Sequence, residues 1–440
     1  MPADFETRTA DWLDPLVAIE NVLETAAPLT AEPTPLLEAL GCVLVHPVLA
    51  QATLPPWDNS AMDGYAVRAS DLDTQPPISL RVTGESLPGV DPSRLAHVDL
   101  GTACRIMTGA PVPPGADSVV RVEHTDAEAG SSGVVVVANT GDAGRNVRPG
   151  GEDMRQGECV AQAGSRITPG LGALLAAAGA DPVTVYRRPK VALIPTGDEL
   201  KTADQFDQVR AGLGIPETNG RMLALAVLAA GAVPQLQAPV PDREEALREA
   251  IEAGMDADVL VTLAGASMGT GDLVKRVLDG FGFNLHFWRV TMRPGSPFGF
   301  GVITRPGRPD LPVFSLPGNP ASAFVTFELF VRPWLRRAGG HAAPFRPTTL
   351  AVTREAFPSN PGLSCFHRVV LSRAENGGMQ ARLSGKQGSG LVTSLGDAAG
   401  LAVVPSAMNA CPAGTELRVI LLDDEMGSSP NPGFVTVAGT

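Results

Sequence analysis

Three short stretches in the middle of the chain place carboxylates, hydroxyls and glycines where apolar runs end. They are PTGDE at residues 195–199, the end of VLVTLAGASMGTGD at residues 259–272, and SLPGNPAS at residues 315–322. Each follows a short continuous apolar run, which is typical of a strand covered on both faces in a parallel sheet. Open α/β sheets bind ligands where their strands end. We therefore expect Asp198, Glu199 and Asp272 to converge at one edge of a sheet.

The second stretch has the composition of an anion-binding turn. Gly265, Ser267 and Gly269 would let the backbone approach a ligand closely, and the free N–H groups of such a turn suit an anion. The carboxylate of Asp272 would repel a bare phosphate, which suggests that a divalent cation lies between them. The alternative is an ordinary strand-to-helix turn in which Asp272 caps the helix.

The third stretch predicts a rigid turn that opens a helix. Pro317 and Pro320 fix two φ angles, Gly318 relaxes one, and Asn319 can cap the following helix. Such a turn is suited to an oxyanion. The alternative is a stiff loop that binds no ligand.

Further polar motifs occur elsewhere in the chain. Hydroxyls and carboxylates are supplied by DNSAMDGYAV at residues 58–67, RIMTGAP at 105–111 and GED at 151–153. Guanidinium groups and another polar turn are supplied by RPGSP at 293–297, FHR at 366–368 and QGSG at 387–390. By residue type alone, the stretch at residues 58–67 could be no more than a hydrogen-bonded turn.

Composition indicates a folded protein of several domains that binds neither nucleic acid nor membranes. The chain has 440 residues and a formal net charge of −13, which disfavours both polyanionic partners. Its five cysteines are scattered singly and its six histidines form no ligand cluster, which favours reduced thiols and argues against structural zinc. Asp4, Glu6 and Arg8 precede any apolar run, unlike a signal peptide. We expect a cytoplasmic protein.

Periodicity predicts an α/β fold combined with β domains. Residues 1–54 and 152–187 read as a helical and β segment, including a short helix from Thr34-Pro35 to Gly41, and residues 55–151 as an inserted β domain. Residues 188–340 alternate strands and helices, as expected of a doubly wound sheet, with a capping box at residues 242–245. Residues 341–424 form a C-terminal β domain without a convincing helix, and residues 425–440 a loose tail.

The motifs, taken together, resemble the MoeA family of molybdenum-inserting enzymes, which includes the E domain of gephyrin. DNSAMDGYAV, RIMTGAPVP, PTGDEL, the glycine-serine turn ending in Asp272, and SLPGNPAS appear in the family's order, over nearly the whole chain. The resemblance implies an elongated subunit that forms a homodimer, with a molybdopterin-binding α/β domain. It implies that adenylylated molybdopterin and molybdate are substrates, and that AMP is released with the help of Mg²⁺.

The resemblance also implies a role for particular residues. Asp58, Thr108 and Asp153 would face the site from the insert, and Glu199 and Asp272 match the family's acidic, metal-holding positions in the α/β domain. The other expected substrate-binding residues come from the two turns, the RPGSP motif and the last domain: Gly265, Ser267, Gly269, Arg293, Pro317, Gly318, Asn319, Pro320, Arg368 and Ser389. Arg368 and Ser389 match positions that help to hold the oxyanion, and the upstream partner would be a molybdopterin adenylyltransferase.

Three departures from the family pattern accompany the resemblance. The family commonly has lysine at Arg293 and often at Ser296, a Gly-Gly pair in the glycine-serine turn, and Asp where Glu217 precedes Thr218-Asn219. Two other functions compete with molybdenum insertion: molybdopterin adenylyltransferase, which shares the α/β domain but usually lacks the β insert and the last β domain, and a non-catalytic scaffold of the same fold.

Overall fold

The computed structural model describes residues 12–126, 133–263, 270–375 and 377–422, without the side chains of residues 270–272. The chain divides into two compact units. The first unit comprises the described residues of Met1–Glu32, Gly41–Val45 and Val185–Thr440. The second comprises those of Pro33–Leu40 and His46–Thr184.

The described residues form short helices and many short strands. The α-helices are α1 Pro15–Glu24, α2 Pro169–Ala177, α3 Phe206–Arg210, α4 Asn219–Ala229, α5 Glu244–Gly254, α6 Thr270–Asp279, α7 Pro320–Thr326, α8 Arg332–Ala338 and α9 Thr393–Gly396, with a π-helical turn, Phe327–Val331, between α7 and α8. The strands are β1 Ala31–Thr34, β2 Val48–Leu49, β3 Asn59–Ser60, β4 Gly64–Val67, β5 Ile78–Ser86, β6 Thr102–Ile106, β7 Ser118–Arg121, β8 Val134–Val137, β9 Val147–Arg148, β10 Cys159–Ala161, β11 Val183–Tyr186, β12 Lys190–Pro195, β13 Leu200–Lys201, β14 Ile215–Pro216, β15 Val233–Leu236, β16 Val259–Leu263, β17 Phe283–Phe287, β18 Met292–Arg293, β19 Gly299–Ile303, β20 Leu311–Leu316, β21 Thr348–Thr353, β22 Ser364–Arg373, β23 Met379–Leu383, β24 Gly400–Val404 and β25 Glu416–Leu421.

The first unit is built on a six-stranded sheet in the order β15-β12-β16-β20-β19-β17. Strands β15, β12, β16 and β20 are parallel, and β19 and β17 are antiparallel to their neighbours. In the register, Pro195 pairs with Leu263 and Leu263 with Leu316. The first and third polar turns and the end of β16 therefore lie at the same level on the same edge of the sheet.

Helices cover both faces of this sheet because its central strands are apolar throughout. All five residues of β16 are buried. Val259, Val261 and Leu263 lie in one core cluster with residues of α4, whereas Leu260 lies in another with residues of α5 and α6. Since successive strand residues point to opposite faces, this arrangement confirms the doubly wound fold.

A closed β-barrel follows in the same unit. Its strands run in the order β22-β23-β21-β25-β24, and β24 pairs again with β22. The short strand β18, which carries Arg293, adds to β22 in parallel. This barrel confirms a C-terminal β fold, although the one-turn helix α9 was not expected.

The second unit is organised around a five-stranded sheet in the order β7-β4-β6-β5-β8. Tyr65 and Val67 of β4 pack into one core cluster, and Ala66 packs into a second one. The strands β3 and β9 form a separate antiparallel pair, as do β2 and β10. The domain boundaries predicted from the sequence stay predictions.

Two local predictions are wrong. Residues 36–38 form a turn instead of a helix between Thr34 and Gly41, and Leu37 is 95% exposed, so a helix there would have no apolar face to bury. The capping box at residues 242–245 is also absent, since α5 begins after Arg243 without a side-chain cap. Within the described ranges, no helix is both long enough and apolar enough to cross a bilayer.

Candidate functional site

A cavity of about 360 Å³ lies at the aligned strand ends of the first unit. The first turn contributes Pro195 and Glu199, the end of β16 contributes Leu263, and residues 317–320 of the third turn complete that side. Residues 215–219, which lead into α4, also line the cavity. The structure thus brings Glu199 together with Pro317, Gly318, Asn319 and Pro320, as the sequence predicted.

The third turn is held by contacts from two other segments. The Asn219 side-chain Nδ2 donates to the Gly318 carbonyl at 2.7 Å, and the Ala321 N–H donates to the Ser389 carbonyl at 2.9 Å. Asn319 occupies the N-cap position of α7, but its side chain makes no capping hydrogen bond. The prediction that the Asn319 side chain caps the following helix is therefore wrong.

Negative charge is concentrated beside Glu199. The Asp242 N–H donates to Asp198 Oδ1 at 3.3 Å. Burial raises the pKa of Asp242, and the nearby charges of Asp198 and Glu199 raise it further. Asp242 was missed as a site residue because we interpreted it as part of a helix cap. The signal available was its position after the apolar segment that ends at Val240, whose carbonyl accepts from the Gly197 N–H.

A second cavity, of about 280 Å³, lies beside the barrel in the same unit. Arg293, Arg368, His367 and Gln387 are among its lining residues, and the described lining contains no carboxylate. His367 Nε2 contacts the Pro358 carbonyl at 2.7 Å, and burial lowers the pKa of His367. Two guanidinium groups beside a neutral imidazole give this cavity a positive potential.

Arg368 is the most unusual side chain of this cavity. It is 0% exposed, and burial lowers its pKa to about 10. Within the described residues its guanidinium donates to neutral oxygens: Ser394 Oγ at 3.1 and 3.2 Å, and the carbonyls of Gly388 at 3.2 Å and Lys386 at 3.5 Å. No acidic residue forms an ion pair with it among the residues that the structure describes. A buried charge without a counter-ion is costly, so an anionic ligand would stabilise it.

Ser394 and Ser389, two serines of the last domain, make different contacts near this cavity. Ser394 contacts the guanidinium directly, but it was missed because nothing in its local sequence predicts that contact. Ser389 is half-buried, and its carbonyl fixes the start of α7. The segment that contains Ser389 thereby joins the second cavity to the third turn.

Part of the predicted site lies outside the described residues. This applies to Gly265, Ser267 and Gly269, and to the side chain of Asp272, whose backbone belongs to α6. Across the described part of the chain, no three His, Cys, Asp or Glu residues are grouped so that they could hold a metal ion. The pairing of Glu199 with Asp272 around a metal therefore stays a prediction.

The second unit brings its three predicted segments together. Asp58 Oδ1 accepts from the Gly150 N–H at 2.7 Å, and the Asp58 carbonyl accepts from the Val112 N–H at 2.8 Å. Residues 58, 108–112 and 150–153 are thus neighbours. Asp58, Thr108 and Asp153 are exposed.

Thr108 has a structural partner of its own. Its N–H and its hydroxyl donate to Asp63 Oδ1 at 2.7 and 2.8 Å. These hydrogen bonds, the backbone one foremost, lower the pKa of Asp63. The hydroxyl of Thr108 therefore fixes its own turn, whatever else it contacts.

Models of protein families match this chain over most of its length. The matching families are described as MoeA N-terminal region (domain I and II) over residues 16–179, probable molybdopterin binding domain over residues 192–337, and MoeA C-terminal region (domain IV) over residues 351–422.

Individual relatives agree with these matches. The chain is 36% identical over 413 residues to molybdopterin molybdenumtransferase 2 of Mycobacterium tuberculosis, covering 91% of this chain and 96% of the relative. It is 38% identical over 318 residues to molybdopterin molybdenumtransferase of a Nostoc species, covering 71% of each. The crystal structure of a molybdopterin biosynthesis MoeA protein from Pyrococcus horikoshii superposes with a TM-score of 0.72 at 30% identity, covering 93% of this chain and all of that one. These matches show that the chain belongs to the MoeA family.

Proposed function

We propose that this protein transfers molybdenum from molybdate to molybdopterin, and that the molybdopterin arrives adenylylated and leaves AMP behind. The relatives that are named molybdopterin molybdenumtransferases cover most of the chain. The observation that carries the proposal is the fully buried guanidinium of Arg368, whose hydrogen-bond partners among the described residues are all neutral.

The cavity beside the barrel suits molybdate. Molybdate is a tetrahedral dianion, and a guanidinium donates strong, directed hydrogen bonds to such an oxyanion. Arg368 is held rigidly by Ser394 and Gly388, so little conformational freedom is lost when the anion binds. Arg293 lines the same cavity from an exposed position and draws the anion in.

Mg²⁺ suits the acidic edge of the other cavity. Burial raises the pKa of Asp242, and the charges of Asp198 and Glu199 raise it further; a cation would relieve the negative charge that these carboxylates concentrate there. Mg²⁺ is commonly held by one or two carboxylates together with substrate phosphates, so Glu199, assisted by Asp272, would be sufficient. When bound, the ion would neutralise charge on the phosphoanhydride as AMP leaves. Glu199 would help to hold the ion, and the rigid turn at residues 317–320 would bind the substrate in the same cavity.

We also propose that the protein works as a homodimer in the cytoplasm, supplied by a molybdopterin adenylyltransferase. Leu225 and Leu228 expose an apolar stripe on α4, as do Leu16 and Val17 on α1, and such patches mark surfaces for other proteins. All five cysteines lie within described residues and carry free thiols, as expected in a reducing compartment.

The test is release of AMP from adenylylated molybdopterin by the purified protein, with Mg²⁺, in the presence and absence of molybdate. We expect release that depends on molybdate and yields active molybdenum cofactor. Asp272→Ala should fold normally but lose turnover, whereas Asp279→Ala on the same helix should retain it. Release that ignores molybdate, or no release, would overturn the proposal.

A further inference from the structure

Residues 293–297 form a loop that borders both cavities of the first unit. Arg293 and Pro294 line the cavity beside the barrel, whereas Pro297 lines the cavity at the strand ends. The two ends of one short segment therefore face the two cavities. We call this segment the connecting loop.

Hydrogen bonds hold the connecting loop in one shape. The Ser296 carbonyl accepts from the N–H groups of Val290 at 3.1 Å and Phe298 at 2.9 Å. The Ser296 hydroxyl donates to the Met292 carbonyl. Pro294 is buried within this arrangement, and its ring fixes its own φ angle. Because a closed and tightly packed loop has little freedom to deform internally, it moves as a unit.

Gly295 packs the connecting loop directly against α7. Its φ angle is +104°, a conformation that favours glycine. A Cβ added there would lie 2.6 Å from Thr326 Cγ2, so the contact leaves no room for a side chain. Helix α7 begins at Pro320, which lines the cavity at the strand ends. The loop therefore contacts the helix whose first turn borders that cavity.

Thr291 anchors the base of the connecting loop to two distant segments. Its N–H and its hydroxyl both donate to the Leu13 carbonyl, at 2.8 and 3.1 Å. Its own carbonyl accepts from the N–H of Ser364, the first residue of β22, at 3.0 Å. The Leu13 N–H donates in turn to the Arg289 carbonyl at 3.0 Å. The base of the loop is thus clamped between the N-terminal segment and the strand that carries Arg368.

We propose that Thr291 is a positioning residue that couples the binding of molybdate to the release of AMP. The inference rests on the proposed function and names the contact through which one cavity acts on the other. An anion held by Arg368 meets Arg293 and Pro294 at one end of the connecting loop. Because Thr291 fixes the base of the loop, the loop responds as a unit and presses on α7. Without this anchor the base yields, and the two cavities respond separately.

The first experiment measures AMP release by the full-length protein with and without saturating molybdate. Thr291→Val keeps the shape of the side chain and the backbone hydrogen bond, but it removes the hydroxyl bond to Leu13. We expect the ratio of the two rates to fall about fivefold in Thr291→Val, as the loss of one hydrogen bond predicts. Thr291→Ser should keep the ratio. Thr184→Val, which changes an exposed strand threonine, should keep it as well.

The second experiment follows hydrogen exchange by mass spectrometry and needs no turnover. Molybdate should slow amide exchange in wild-type peptides that cover residues 289–298 and residues 320–326. In Thr291→Val, the slowing at residues 320–326 should disappear. Molybdate should still protect this variant against urea unfolding, because Arg368 is unchanged.

These measurements separate the inference from the proposed function. An unchanged rate ratio in Thr291→Val, or a Thr291→Ser protein that behaves like Thr291→Val, would overturn the inference. A Thr291→Val protein that molybdate no longer stabilises would also contradict it, since Thr291 would then support binding rather than coupling. Molybdate-dependent AMP release without slowed exchange at residues 320–326 refutes this inference alone. Slowed exchange that depends on Thr291, without AMP release, refutes the proposed function alone. If the wild type shows neither effect, both fail.

Discussion

Replacing Arg368 with methionine should leave the protein folded but remove its response to molybdate. Burial alone lowers the pKa of Arg368 to about 10, well below its ordinary value, which corresponds to roughly 3 kcal/mol against the charged form in the folded state. Because the folded pKa lies below the unfolded one, this destabilisation is fully present below pH 10. It would be lost progressively as the pH rises from the folded pKa toward the unfolded one.

The substitution Arg368→Met has two opposing effects on the free energy of unfolding. It removes the buried charge, but it also removes hydrogen bonds to Ser394 Oγ and the Gly388 carbonyl, worth about 1 kcal/mol each. Ser394 retains its own bond to the Leu391 carbonyl. We therefore expect a free energy of unfolding within about 2 kcal/mol of the wild type.

Urea unfolding followed by circular dichroism, with and without molybdate, measures the free energy of unfolding and its increase when molybdate binds. At a molybdate concentration one hundred times its dissociation constant, the wild type should gain about 2.7 kcal/mol, and Arg368→Met should gain nothing. Arg382→Met is the matched control, because Arg382 is an exposed arginine of the same barrel; it should respond as the wild type does. Chloride at equal ionic strength controls for screening.

Two results would refute this reasoning. If Arg368→Met lowered the free energy of unfolding by more than about 4 kcal/mol without molybdate, the loss would exceed the effects estimated above. The guanidinium would then be required mainly for the stability of the fold. Equal stabilisation of Arg368→Met and the wild type by molybdate would place the anion elsewhere in the protein.

Three further predictions concern groups outside this cavity. Glu328→Ala should lower the free energy of unfolding by about 3–5 kcal/mol in urea titrations, because two arginines pair with this buried carboxylate; a loss below about 1 kcal/mol would contradict it. Thr108→Val should raise the pKa of Asp63 toward 3.8 in a carboxyl NMR titration, since one of its two hydrogen bonds is lost. The small stabilisation from Asp63, present above pH 4 and lost as the pH falls through its folded pKa, should shrink; an unchanged pKa would show that the hydroxyl bond is not formed. At pH 8, iodoacetamide should alkylate exposed Cys159 at least about a hundred times faster than Cys104, whose pKa burial raises to about 11; mass spectrometry showing the reverse order would be decisive against it.

The sheet edge could be predicted from the sequence because its signals are local. Strand β16 is a continuous apolar run whose five residues are all buried, and a polar turn follows each strand. The rule that ligands bind at strand ends then brings Glu199 and residues 317–320 together. The register, in which Leu263 pairs with both Pro195 and Leu316, aligns the turns more closely than the pattern alone required.

The parts that could not be predicted depend on contacts between distant segments. Arg368 lies within the FHRVVL run, and nothing local indicates that its guanidinium is buried. The burial follows from closure of the barrel, in which Arg368 pairs with Leu401 of β24. Ser394 reaches the guanidinium from another segment of the barrel. Asp242 likewise is linked to the site by its burial and by the nearby charges of Asp198 and Glu199, which a local capping pattern cannot reveal.

The replacement of the family's usual lysine by Arg293 matters less once the position of Arg368 is known. Arg293 is exposed, so salt screens its attraction for an anion, and it acts mainly on the rate of encounter. Arg368 is fully buried, so its attraction is screened far less, and its bonds to Ser394 and Gly388 fix its direction. The affinity for the oxyanion should therefore depend chiefly on Arg368. The exposed position then tolerates either arginine or lysine, because neither needs to form a fixed pair of hydrogen bonds there.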